Sequence, residues 1–133
     1  MKGWIGVDLD GTLAEDTFWV SEVYIGDPIP LMAERVRTWL KEGVEIRIFT
    51  ARVDGGAVAI EMGNEKGERY KDVARIEKAI QDWTELHFGV RLPVTNKKDY
   101  GMIELWDDRA VRVIKNKGVL CCDHYYTHLK DIL

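Results

Sequence analysis

Apolar residues recur along this chain in two rhythms, and their alternation predicts the elements. Residues 1–7, 44–49, 92–95 and 102–106 are short, mostly apolar runs of strand length. Between the first two, Pro28 and Pro30 open a stretch in which Leu31, Arg35 and Trp39 form one row and Met32, Val36 and Leu40 the next. That spacing predicts a helix, with proline tolerated in its first turn and Gly43 stopping it. The clearest helical signal covers 70–88, where Val73, Ile76, Ile80, Trp83 and His87 share a face and Gly89 follows. Strands alternating with helices predict an α/β fold, a mostly parallel sheet with helices on both faces.

The connecting stretches have their own signatures. Residues 13–29 carry scattered aromatics (Phe18, Trp19, Tyr24) without a sustained period, and read as an irregular flap or short hairpin. Residues 53–69, with Gly55, Gly56, Gly63, Glu65 and Gly67, read as an exposed loop. After the fourth run, 110–114 reads as a short extended segment with a turn at Asn116-Lys117-Gly118, and 119–133 as including a C-terminal helix.

Composition narrows this picture without redirecting it. A chain of 133 residues with no repeat or linker fits one domain, 1–133, with a single core. A formal charge of -4 gives no electrostatic footprint for nucleic acid or membrane. No apolar stretch suggests a signal peptide or a membrane span, so a membrane partner is not expected. Cys121 and Cys122 are adjacent and ill placed for a structural disulfide, which makes a reducing cytoplasm the simplest setting.

Candidate chemistry gathers where the apolar runs end. Asp8 and Asp10 close the first, Thr50 the second and Asp107-Asp108 the fourth, while Lys97 and Lys98 follow the third. In a parallel sheet these ends share one edge, where open α/β sheets bind ligands. Two carboxylates side by side call for a cation or a shared proton, and a hard divalent ion such as Mg²⁺ suits oxygen ligands. Alone, each motif has a blander reading. Asp-x-Asp-Gly also begins calcium loops, although an EF-hand here would need glycine and glutamate where Leu13 and Trp19 stand. Thr50 alone is a strand-end hydroxyl, Lys97 a solvated charge, and Asp107-Asp108 a turn. Arg52 and Arg109 either contact a substrate phosphate or pair with neighbouring acids.

Taken together and in this order, the carboxylate pair, hydroxyl, lysine and second carboxylate pair resemble the four motifs of the haloacid dehalogenase-like phosphatases. The resemblance spans 5–113. It implies a Rossmann-like three-layer sandwich and a phosphomonoester hydrolase that needs Mg²⁺ and passes through an aspartyl-phosphate. By the same resemblance Asp8 is the nucleophile and Asp10 the acid/base, whose backbone carbonyl also ligates Mg²⁺. Thr50 and backbone amides of Leu9, Gly11, Thr12, Ala51 and Arg52 would hold the phosphoryl group. The phosphate lysine is Lys97 or Lys98, with Lys98 favoured because Asp99-Tyr100 follows it. Asp108 is favoured over Asp107 as the further metal ligand.

The gaps between motifs are too short for a cap domain, so the chain resembles the capless type. Its open site suits a larger substrate or is closed by a second copy in a homo-oligomer. Asp107-Asp108-Arg109 also resembles phosphatase domains of polynucleotide end-repair enzymes and some nucleotidases, making a nucleotide or nucleic-acid end a candidate substrate. A phospho-aspartate receiver is opposed by the order of the motifs, and a non-catalytic phosphate-binding protein has no replaced catalytic position in its favour. A zinc site from Cys121, Cys122, His124 and His128 is disfavoured by irregular spacing. Four of the five tryptophans fall on expected buried faces, leaving Trp19 of the flap as the one to touch substrate.

Overall fold

Trp4, Ile5, Gly6 and Val7 are all buried, which sets strand β1 (Trp4–Asp8) in the middle of a sheet. A strand covered on both faces needs such a continuous apolar run. The structure, a computed structural model, describes residues 2–16, 20–54 and 72–122. Strands β2 (Glu45–Phe49), β3 (Val94–Thr95) and β4 (Met102–Trp106) complete a four-stranded sheet of order β3-β2-β1-β4. Every pairing is parallel, with Asp8 opposite Phe49, Phe49 opposite Thr95, and Val7 opposite Trp106. The fold is α/β and Rossmann-like, and no large cap is present among the described residues.

Helix α1 (Pro30–Lys41) starts on a proline whose φ is already helical, and Gly43, at φ 81°, follows its end. It buries Met32, Ala33 and Val36. Leu31, expected in an inner row, is 62% exposed, because the buried stripe begins one residue later and includes Ala33. Helix α2 (Val73–Phe88) begins after Asp72, whose carboxylate accepts from the Arg75 amide, and ends at Gly89 in the left-handed region. The N-cap at Asp72 accounts for a start three residues later than the 70–88 pattern predicted. Of the expected inner face, Ile76, Ile80 and Trp83 are buried, with Thr84 added, while Val73 and His87 are only half-buried.

Both helices pack into one core with Ile5, Val7, Ile46 and Ile48, alternate residues of β1 and β2. The two described helices therefore share one face of the sheet, where helices on both faces were expected. The steps β1-α1-β2 and β2-α2-β3 run in one direction, and right-handed crossovers then put both helices on one side. On the opposite face the connection 96–101 returns from β3 to β4. Trp4 Nε1 donates to Asp99 Oδ1 at 2.8 Å, and the Arg47 guanidinium lies 4.4 Å from the Trp4 ring centre. Because β4 lands on the far side of β1, the chain reverses direction across the sheet between β1 and β4.

β4 is an edge strand, so its apolar run is less covered than expected, with Ile103 exposed and Trp106 half-buried. Trp106 and Trp39 are only partly buried and meet edge to face, 5.1 Å between ring centres. The flap expected over 13–29 is irregular where described, closed like a short hairpin by Ile29 N donating to Leu13 O and Glu15 N to Asp27 O. Beyond β4, Val113 bridges Leu120 across a turn with Asn116 at φ 65° and Gly118 at φ 66°. Residues 119–122 are therefore not helical, and the remainder of the expected C-terminal helix lies outside the described residues. So do Trp19, most of the 53–69 loop, His124 and His128, while Cys121 and Cys122 are exposed free thiols. Among the described residues no helix is long and apolar enough to cross a membrane.

Candidate active site

Strand β1 delivers Asp8 as its last residue, and Asp107 and Asp108 follow directly on β4. The reversal between these strands brings the three together, with one carboxylate oxygen from each within 4.8 Å of the others. Ligands of open α/β sheets bind at such a point, beyond the carboxyl ends of the strands. Thr12 Oγ1 joins the group. It stands 3.2 Å from Asp8 Oδ2 and 3.1 Å from Asp108 Oδ1, and accepts from the Asp108 amide at 3.0 Å. Its single proton serves one carboxylate at a time.

The turn after β1 makes this meeting possible. Leu9 is fully buried and anchors it, its carbonyl accepting from the amides of Leu13 and Ala14. Gly11 has φ 90°, and a Cβ there would stand 2.8 Å from Asp108 Oδ2. Both its backbone and the space beside it require glycine. Asp107 is held by its own turn, its Oδ1 accepting from the Arg109 amide at 2.7 Å.

Among the described residues no lysine or arginine forms an ion pair with Asp8, Asp107 or Asp108. Asp8 shows the consequence, its pKa pushed up to about 8 from 3.8. Burial is the largest cause, followed by the hydrogen bond with Asp108 and the charges of Asp107 and Asp108; Thr12 pulls the other way. A half-buried carboxyl among uncompensated acids and all-oxygen donors fits a hard divalent cation.

Asp10 goes elsewhere. The expectation of two carboxylates side by side at the end of β1 is corrected, because Asp10 is not in the trio. Arg52 Nε donates to Asp10 Oδ2 at 2.8 Å and Arg52 Nη2 to Oδ1 at 2.7 Å. Of the two roles open to Arg52, the structure shows pairing with an acid. Its remaining nitrogen, Nη1, donates to the carbonyls of Glu22 (3.1 Å) and Tyr24 (2.7 Å) in the flap.

Thr50 is buried just after β2, and its hydroxyl accepts from the Arg52 amide at 3.1 Å. It thereby caps the 3₁₀ turn Ala51–Val53, in which Ala51 is exposed. Lys97 and Lys98 are both exposed, and neither touches the acidic trio among the described residues. Asp99, beside Lys98, is tied to Trp4 and to Arg47 (3.3 Å) at the far edge of the sheet. The segment is therefore leaving the carboxyl edge as it passes the two lysines. Sequence reasoning missed Thr12 as the bridge between Asp8 and Asp108; its spacing four residues after Asp8, across a glycine turn, was the available signal.

The sequence matches no protein-family model and no curated protein. In three dimensions the chain is similar to a conserved protein from Bacteroides thetaiotaomicron. The TM-score is 0.51 at 21% identity, over 84% of this chain and 79% of the other. At that identity the likeness shows the α/β fold alone.

Proposed function

We propose that this chain is a Mg²⁺-dependent phosphomonoester hydrolase working through Asp8. The observation that carries the reading is the meeting of Asp8, Asp107 and Asp108 at the reversal point of a parallel sheet. Asp8, Asp107 and Asp108 would hold the ion, with the Asp10 carbonyl as a further oxygen. Bound there, a divalent cation supplies positive charge that offsets the mutual repulsion of the acids and the charge on a phosphoryl oxygen.

The chain's own residues then divide the work. An ionised Asp8 oxygen attacks phosphorus, forming an aspartyl-phosphate as the bond to the leaving oxygen breaks. Asp10, once the Arg52 guanidinium releases an oxygen and that oxygen is protonated, gives the leaving oxygen its proton. It then takes one from the water that releases phosphate and restores the Asp8 carboxylate. The 9–12 turn and the Thr50 cap lie at the same sheet edge, but the Gly11 and Thr12 amides donate to the carbonyls of Ala14 and Leu9 and the Arg52 amide to the Thr50 hydroxyl. To hold phosphoryl oxygens they would have to exchange those bonds. Lys97 or Lys98 serves as the phosphate lysine only if the 96–98 segment approaches the site when substrate binds. The absence of a large cap among the described residues leaves room for a nucleotide or a polynucleotide end as substrate.

The test is a panel of p-nitrophenyl phosphate, nucleotides, sugar phosphates and 3′- or 5′-phosphorylated oligonucleotides, assayed with Mg²⁺ and with chelator. Wild type is expected to turn over at least one of them, and Asp8→Asn none. Equal turnover by the two proteins, or none by wild type, sinks the reading.

A further inference from the structure

We propose that Arg52 is a positioning residue that joins the seating of the 20–27 flap to the direction of the Asp10 carboxylate. All three guanidinium nitrogens are engaged, Nε and Nη2 on Asp10 and Nη1 on the carbonyls of Glu22 and Tyr24. A guanidinium is planar, so its two sides cannot be re-aimed independently. The side chain is only 15% exposed, which limits screening of its charge-assisted bonds.

Both ends of this connection are built in. The Arg52 backbone is fixed by the Thr50 cap at the end of β2. The flap is held from the other side by α2, where Arg75 Nη1 meets Glu22 Oε1 at 2.8 Å and Trp83 Nε1 donates to the Gly26 carbonyl at 3.1 Å. Arg52 therefore supplies the flap's bond to the strand that carries Thr50. It also holds both oxygens of the Asp10 carboxylate. For the Asp10 carboxylate to exchange a proton with a leaving oxygen or a water, the guanidinium must tilt or release an oxygen, and the flap carbonyls feel that tilt. Flap position and Asp10 reach are one equilibrium. The coupling is structural; only its effect on turnover rests on the phosphatase reading.

Hydrogen exchange of the full chain, followed in peptides over 20–27 and over α1, tests the coupling without any activity. Asp10→Ala, which removes the carboxylate that Arg52 grips but neither flap carbonyl, is expected to speed exchange over 20–27 by about tenfold while leaving α1 unchanged. Arg52→Lys should do the same, since lysine lacks the fork. The Asp10→Ala/Arg52→Lys double variant should be no faster than either single one. Asp10→Asn serves if the alanine variant does not fold. Wild-type exchange over 20–27 in the Asp10 variants, or additive effects in the double, overturns the proposal.

Steady-state kinetics on p-nitrophenyl phosphate then separates positioning from substrate binding. Arg52→Lys is expected to lower kcat by about tenfold with KM changed less than about threefold. A raised KM with kcat kept would make Arg52 a phosphate ligand and overturn the positioning role. A wild type with no turnover would remove the phosphatase reading and leave the exchange result standing.

Discussion

Asp8 and Asp10 are the same residue type two positions apart, and the fold gives them opposite surroundings. Asp8 stands among Asp107, Asp108 and Thr12, and among the described residues no lysine or arginine pairs with it. Asp10 is held by a two-pronged arginine that also grips the flap. Among the described residues one carboxyl faces only other acids and a hydroxyl; the other is paired with a guanidinium and has its direction set. The proposed nucleophile and proton carrier thus start from unlike surroundings, Asp8 crowded by acids and Asp10 held by a guanidinium.

The sharpest way to break the contrast is to neutralise each acid in turn. Asp8→Asn should cut phosphatase turnover by on the order of 10⁴-fold, the loss of a nucleophile. Asp10→Asn should cost roughly 10²- to 10⁴-fold, the range of acid/base assistance, while phosphate-analogue binding is retained. Single-turnover and binding assays check both, and equal losses from the two variants would erase the distinction.

Two substitutions test whether chemistry is confined to the carboxyl edge of the sheet. Trp4→Phe keeps a buried ring at the opposite edge but loses the bond to Asp99. It should cost about 1–2 kcal/mol of stability and leave the turnover of folded protein unchanged. Gly11→Ala, strained at φ 90° and crowding Asp108, should cost about 1–2 kcal/mol and lower turnover as well. Urea melts with parallel assays separate the cases, and lowered turnover in Trp4→Phe would spread function beyond the edge.

The smallest effect is read from pH in metal-free buffer. Asp8 titrates at 3.8 as an isolated group and at about 8 in the fold, so the folded chain holds its proton more tightly. Its contribution to stability is fully present below pH 3.8 and is lost as pH rises through about 8. Asp8→Asn, which cannot ionise, should therefore melt higher than wild type above pH 8, with the gap closing toward pH 4. Partial exposure of the group limits the gain to on the order of 1–2 kcal/mol. Millimolar Mg²⁺ should raise the wild-type melting temperature and narrow the gap. A wild type that melts higher than Asp8→Asn in metal-free buffer at pH 9 would contradict the crowded-acid account.

Much of the fold was readable because burial leaves a periodic trace. The inner face of α2, the central strand β1 and the glycine stops of both helices follow from spacing and backbone chemistry. Less readable was the exposure of Leu31 and of β4, since which neighbour covers a given apolar residue depends on strand order. Past a strand end no period constrains a side chain, which is why Asp10 could be expected beside Asp8 and yet be held by Arg52, 42 residues away.

By itself, then, the sequence determined that strands would alternate with helices and that acids would stand at strand ends, because both follow from local pattern. Tertiary structure decided which acids meet. Parallel pairing with β4 on the far side of β1 brought Asp107 and Asp108 to Asp8, and the close of β2 brought Arg52 to Asp10. Charges interact through space and not along the chain, so their company is a property of the folded sheet.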